Sequence, residues 1–269
     1  MMDLADILEG TRGTLVQKGA TDRFQKIGTD TRTIAPGDVY FALVGKQHDG
    51  HAFLDQAIAR GAQGLVVSQP LSATCPAEIS VIQVADTTRA LGGVAALVRM
   101  RRNPKIVSIT GSVGKTTAKE LVAHLLSQEF HTLKSAASFN NQFGVPLTLL
   151  ALDDSHTHAV VEAGTNHVGE IAILGDIIKP DVGIITNIGF AHIENFGSQQ
   201  AILEEKTQLL KSLRPGGAAI LNGDDPLSRS QDSVLRGRGL AVITAGLNAG
   251  NTVQAVEIVA TEQGTTGFI

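Results

Sequence analysis

Apolar positions along the chain follow two alternating rhythms. Short β-branched runs at 39–44, 64–68 and 79–84 predict strands, and stretches with apolar residues three and four apart predict helices around them. Leu4, Ile7 and Leu8 give a helical start. Phe53, Leu54, Ala57 and Ile58 predict a helix over 53–60 with those four side chains inward. Leu91, Val94, Ala95, Leu97 and Val98 form the apolar stripe of a helix over 87–101. The polar, proline-marked step Arg101-Arg102-Asn103-Pro104 then places a domain boundary, giving domains 1–102 and 103–269.

In the second domain, strands are predicted at 105–110, 158–162, 182–187, 218–222 and 240–245. Helices are predicted at 116–130, 170–178, 199–213 and about 227–235. Near-continuous apolar strands alternating with helices imply a mostly parallel sheet covered on both faces. Right-handed crossovers make it doubly wound, with the site at the carboxyl ends of the strands. Two further β-like runs follow at 253–259 and 265–269. The chain stops inside the second, so the sheet is expected to be incomplete at its C-terminal end. The fold class is therefore α/β, a small N-terminal α/β domain followed by a doubly wound sheet.

Composition narrows this picture. With 269 residues, 43% hydrophobic and 18% charged, the chain is folded and long enough for two cores. A net charge of −4 without a basic stripe argues against a nucleic-acid partner; Arg99, Arg101 and Arg102 cluster only at a helix end. No apolar run has spanning length, so no membrane insertion is expected. Cys75, the sole cysteine, excludes an internal disulfide and suits a reducing compartment, so a cytoplasmic monomer is expected.

The chemistry concentrates in residues 105–117, where a β-branched strand runs into Thr110-Gly111-Ser112-Val113-Gly114-Lys115-Thr116-Thr117 and then a helix. Backbone N–H groups at a glycine turn and a helix N-terminus cradle phosphate. A lysine then reaches the outer phosphates and a hydroxyl helps hold Mg²⁺. The first glycine of the usual P-loop would fall on Ile109, so the motif is the shorter T-G-x-x-G-K-T-T. Polar residues recur where later strands end. Glu162 suits a nucleotide-held Mg²⁺ or a helix cap. The 164–170 segment reads as a binding loop or as a turn capped by Asn166. His192 is a metal ligand or a loop histidine, and Lys206 has the alternative of a solvated helix face. Asn222-Gly223-Asp224-Asp225 can hold a base or ribose or cap the next helix, and Asn140-Asn141 sits in a turn-forming loop.

As a set, the 110–117 loop, Asn140–Leu150, Glu162–Glu170 and Ala191–Ser198 resemble the ATP-dependent Mur ligases of peptidoglycan synthesis. The stretch 30–53 is similar to their UDP-sugar-binding domain. Within the family, Asn166-His167 and the His-x-Glu-x-Phe-Gly-Ser run favour the member that joins D-alanyl-D-alanine to a UDP-N-acetylmuramoyl tripeptide. The resemblance implies ATP and Mg²⁺ as cofactors and those two compounds as substrates. It implies Lys115, Glu162, His192 and Lys206 as catalytic, with the 110–117 loop and Asn222 on ATP. Thr116, Glu162, His192 and Lys206 would hold metal, Lys206 as a carbamate at the family spacing from His192. Thr31, Arg32, Lys46 and His51 would line the UDP pocket, and Asn140, Asn141, Asn166 and His167 would face substrate. Ala137-Ser138 stands where the family commonly has Gly-Asn, and Thr207-Gln208 where glycine and glutamate are usual. The family's C-terminal domain is missing from the pattern, which implies nucleotide binding with impaired ligation. The alternatives are a non-catalytic nucleotide- or UDP-sugar-binding module and a Mur ligase adding a different amino acid. A P-loop kinase or GTPase fits less well, since no Asn-Lys-x-Asp sequence occurs.

Overall fold

The computed structural model describes residues 1–45, 47–70 and 75–256, with the backbone of 259–260 and 266–267. Lys46 and most of the strand expected at 265–269 lie outside the described residues. The chain divides into two units, Met1–Arg102 and Asn103–Ile269.

In the first unit a parallel ladder runs Ser80–Gln83, Gly64–Val67, Val39–Phe41 and Ile27–Gly28, and Thr14–Gln17 adds antiparallel to Ser80–Gln83. The central strands Val39–Phe41 and Gly64–Val67 are buried on both faces, as a covered parallel sheet requires. Tyr40, Leu65, Val67 and Val81 pack one buried cluster against Ala57. Phe53 departs from expectation: it is 41% exposed. Asp49 accepts a hydrogen bond from the His51 amide, which winds Gly50–Phe53 into a 3₁₀ turn and delays the α-helix to Leu54–Ala59. That puts Phe53 out of the helical register that the periodicity assumed.

In the second unit the described residues form one sheet in the order Thr132–Lys134, His158–Glu162, Lys105–Thr110, Val182–Ile185, Ala218–Asn222, Ala241–Gly246, Val253–Gln254. Every pairing in it is parallel. Lys105–Thr110 is the first strand of the unit yet sits mid-sheet, with the strands at His158 and Val182 on its two sides. The winding reverses there, so the crevice of the sheet opens at the carboxyl end of that strand. Helices Lys115–Leu126, Glu170–Ile178 and Gln199–Lys211 lie where the periodicity placed them. Their apolar faces bury Ala123 against Ile109 and Val160, and Ile202, Leu203 and Leu210 against Ile185 and Leu221. The helix expected at about 227–235 is broken at Ser230 into Pro226–Arg229 and Gln231–Gly237. Strand Thr132–Lys134 was not foreseen, because its three residues are too few to show alternation. Among the described residues the late β-like runs include the pieces Val253–Gln254 and Val259–Ala260, the latter antiparallel to Thr266–Gly267. Among the described residues no helix is long and apolar enough to cross a membrane.

Candidate active site

At the end of strand Lys105–Thr110 the chain passes through Gly111 at φ 147° and Gly114 at φ 83°, then enters helix Lys115–Leu126. The turn is stitched to the segment after strand Val182–Ile185. The Ser112 amide donates to the Asn187 carbonyl at 3.0 Å and the Val113 amide to Asn187 Oδ1 at 3.1 Å. Thr186 Oγ1 and Asn187 Nδ2 both donate to the Val113 carbonyl, at 2.6 and 2.9 Å. Ser112 and Val113 therefore spend their amides on the protein. The helix N-terminus supplies the remaining donors, since the first N–H groups of a helix have no intrahelical partner. Thr110 is buried and its hydroxyl finds no partner, so its side chain faces the interior and not the crevice.

Two lysines converge on one carbonyl. Lys115 Nζ donates to the Gly111 oxygen at 2.7 Å, and Lys206 Nζ donates to the same oxygen at 3.0 Å. Lys206 is 3% exposed on helix Gln199–Lys211. Burial, and after it the Lys115 charge, push the Lys206 ammonium down to about 8, with Glu205 pulling the other way. Burial also lowers the Lys115 pKa, against the opposing pull of Glu162. Two crowded ammonium groups beside a helix N-terminus are the electrostatic environment that a polyphosphate fits.

The acidic wall faces them. Glu162, 1% exposed at the end of strand His158–Glu162, accepts from Thr116 Oγ1 at 2.9 Å and from Asn140 Nδ2 at 2.8 Å. A carboxylate and a hydroxyl are the hard oxygen donors that Mg²⁺ takes, with phosphate and water completing its shell. His192 is exposed and holds left-handed backbone at φ 60° before the turn Ile193–Phe196; among the described residues no hydrogen bond joins it to Thr116, Glu162 or Lys206. No group of three or more His, Cys, Asp or Glu with metal-site spacing occurs among the described residues.

Several sequence candidates make local structural contacts. Asn141 Oδ1 accepts from the Phe143 and Gly144 amides and so starts helix Gly144–Leu150. The amides of Asn166 and His167 donate to the Glu170 carboxylate, while their side chains are exposed. Asn222 Nδ2 donates to the Thr186 carbonyl and its Oδ1 accepts from the Asp224 amide, which engages both ends of the side chain. Asp225 caps helix Pro226–Arg229, and Asp224 accepts from the Leu247 and Asn248 amides.

Four residues were missed from sequence. Thr186 and Asn187 clamp the turn; the signal was a polar pair ending the strand beside the phosphate-loop strand. Glu205, 3% exposed, accepts from the Gly169 and Ile171 amides at 2.7 and 2.8 Å and fixes the loop that carries Asn166 and His167. Lys119 is fully buried. Ala137 holds φ 40°. Left-handed backbone costs an L-residue roughly 1 kcal/mol. Ala137→Gly is therefore expected to raise stability by about that amount, read as a higher urea midpoint at unchanged slope.

Lys206 carries a second expectation. Its folded pKa of about 8 lies below its ordinary 10.5, so between those values the unfolded chain binds more protons. The penalty for the buried charge is complete below pH 8 and relieved as pH rises toward 10.5. Urea midpoints should therefore rise over that window, and Lys206→Met should remove the rise attributable to this group.

In the first unit, a cavity of about 550 Å³ is lined by Asp30, Thr31, Arg32, Tyr40, Phe53 and Gln56 among others. Thr31 Oγ1 bonds Gln56, and Arg32 forks onto Asp30 at 2.6–3.0 Å, holding that carboxyl at about 2. His51 is not in the lining. Its Nδ1 sits 2.6 Å from Asp49 and its Nε2 accepts from the Ser68 amide at 2.9 Å, so the ring braces the loop from behind.

Comparison with known proteins gives the following. Residues 109–269 match the family model described as Mur ligase middle domain, and residues 23–99 the one described as Mur ligase family, catalytic domain. The UDP-N-acetylmuramoyl-tripeptide–D-alanyl-D-alanine ligase of Synechocystis sp. is 39% identical over 96% of this chain and 56% of its own length. The Escherichia coli K12 protein of the same name is 40% identical over 84% of this chain and 48% of its own. The chain thus spans about half the length of these relatives. Among solved structures, MurF from Acinetobacter baumannii superposes with a TM-score of 0.89 at 33% identity, covering 99% of this chain and 60% of that one. MurF ligase from Thermotoga maritima in complex with ADP gives 0.80 at 27% identity, over 88% of this chain and 54% of that one.

Proposed function

We propose the function from one premise: the chain belongs to the Mur ligase family. The reading is an ATP-dependent amide ligase of peptidoglycan precursor synthesis, joining D-alanyl-D-alanine to a UDP-N-acetylmuramoyl tripeptide. One observation carries it: Lys115 and Lys206 meet at the Gly111 carbonyl opposite the Thr116–Glu162–Asn140 cluster. That arrangement sets a phosphate cradle against a divalent-cation carboxylate.

The terminal carboxylate of the tripeptide attacks the γ-phosphate of ATP, forming an acyl phosphate and releasing ADP. The amine of D-alanyl-D-alanine then attacks the acyl carbon, and the tetrahedral adduct expels phosphate. Both steps ask for alignment and neutralised charge rather than for a protein nucleophile. Lys115 and the helix N-terminus hold the phosphates. Thr116 and Glu162 would hold Mg²⁺, which spreads the charge that develops on them. Asn140 fixes the Glu162 carboxylate, and the Asn166–His167 loop, buttressed by Glu205, is offered to the peptide. The 30–53 stretch and its cavity take the UDP moiety, with Thr31 and Arg32 in the lining.

Lys206 is the less usual member. A lowered pKa supplies the neutral amine that reacts with carbon dioxide. As a carbamate it would turn the repulsion from Lys115 into attraction and add an oxygen donor to the metal side.

The test supplies the chain with Mg–ATP, UDP-N-acetylmuramoyl tripeptide and hydroxylamine, and looks for the tripeptide hydroxamate by mass spectrometry. Hydroxamate formed only with both substrates supports the reading. A chain that binds Mg–ATP but has no affinity for the UDP-muramoyl peptide contradicts it.

A further inference from the structure

We propose that Lys119 is a positioning residue that ties the phosphate-loop helix to the 135–140 loop and thereby sets the Asn140–Glu162 contact. Lys119 lies one helical turn after Lys115 and Thr116, and its side chain is 0% exposed. Burying an ammonium is costly unless it is paired and hydrogen-bonded. Here Nζ donates to the Ala137 carbonyl at 2.7 Å and lies 3.1 Å from Glu120 Oε1. The other Glu120 oxygen pairs with Lys134, in the strand that leads into the same loop. Two neighbouring residues of the helix thus grip residues 134 and 137.

The grip is on a segment that needs one. Ala137 holds left-handed backbone at φ 40°. From it the loop closes by short local bonds, Phe139 amide to Ala136 carbonyl at 2.9 Å and Asn140 amide to Ser138 carbonyl at 2.8 Å. Movement at the Ala137 carbonyl therefore passes directly to Asn140. Asn140 in turn meets the end of the acidic strand and the turn after it: its Nδ2 donates to Glu162 Oε1 at 2.8 Å, and its carbonyl accepts from the Gly164 amide at 2.8 Å. Glu162 Oε2 is held by Thr116, on the same helix as Lys119. The result is a closed circuit from helix to loop to carboxylate and back to helix. Lys119 acts through Asn140, since its buried Nζ is engaged by the Ala137 carbonyl and Glu120. The inference rests on the proposed reading of Glu162 as the magnesium carboxylate.

The experiment is a double-mutant cycle read by calorimetry. For the unaltered chain, Lys119→Met, Asn140→Ala and the double variant, ATP affinity is measured with and without Mg²⁺. The readout is the factor by which Mg²⁺ tightens binding. Lys119→Met should lower that factor about tenfold, and Asn140→Ala similarly, with little further loss in the double variant. A merely structural lysine would lower the melting temperature and leave the factor unchanged. Should Lys119→Met not fold, Lys119→Arg enters the same cycle. An Arg effect on the factor that disappears in the Asn140→Ala background supports the coupling, whereas an equal effect in both backgrounds, or none, overturns it. If the unaltered chain binds no nucleotide, the functional reading fails and this inference with it. Binding without coupling overturns this inference alone.

Discussion

Lys115→Ala is expected to weaken Mg–ATP binding about 100-fold while the chain stays folded. The magnitude follows from removing a charge-assisted contact to phosphate, worth roughly 1.5–3 kcal/mol and most when partly desolvated. The fold should survive because, among the described residues, Lys115 bonds the carbonyls of its own turn, Gly111 and Ser112. Lys206 still donates to Gly111 in the variant. Losing Lys115 also removes a cation that depresses the Lys206 pKa, so the Lys206 ammonium should titrate higher. Calorimetry with ATP, paired with thermal unfolding, checks both halves. Unchanged affinity would reduce the motif to an ordinary strand–turn–helix.

Gly111→Ala should be the most damaging single change in the turn, costing about 3 kcal/mol of stability together with nucleotide binding. A Cβ at Gly111 would sit 1.9 Å from Thr186 Oγ1 and 3.1 Å from the Thr186 amide nitrogen. Thr186 Oγ1 is the hydroxyl that donates to the Val113 carbonyl and closes the turn. The substitution thus loses a hydrogen bond of about 1 kcal/mol and strains a φ of 147°, worth roughly 1–3 kcal/mol. Gly114→Ala is the control. Its φ is 83°, but a Cβ there meets nothing within 4 Å, so only the backbone cost of about 1 kcal/mol applies. Unfolding free energies from urea titration of the two variants should differ by about 2 kcal/mol, with Gly111→Ala the less stable and its midpoint correspondingly lower. Equal midpoints would mean that Thr186 does not clamp the turn.

The legible part of this molecule was what repeats within a few residues. Strands at Lys105, His158 and Ala218 and the helix at Glu170 carry their periods in short windows, and the glycine-lysine-threonine turn announces itself locally. What the chain did not disclose were contacts between distant residues. The Val113–Asn187 clamp spans 74 positions and the Gly111–Lys206 bond 95. Glu205 looks like one more charge on a helix, yet its carboxylate is buried against amides 34 and 36 residues away. Asn222, Asn141 and His51 hold partners that the sequence did not disclose: Asn222 engages the Thr186 carbonyl and the Asp224 amide, Asn141 Oδ1 the Phe143 and Gly144 amides, and His51 Asp49 and the Ser68 amide. Phe53 shows the limit of periodicity itself, since a side-chain cap moved the helix start by a residue and turned an inward position outward.

The central claim is that residues 110–117, with Lys206 and Glu162, form a magnesium-dependent triphosphate site. It is tested most directly by titrating the unaltered chain with ATP in the presence and absence of Mg²⁺. The account predicts a single site whose affinity is strengthened by Mg²⁺. Absence of binding, or binding indifferent to Mg²⁺, would contradict it.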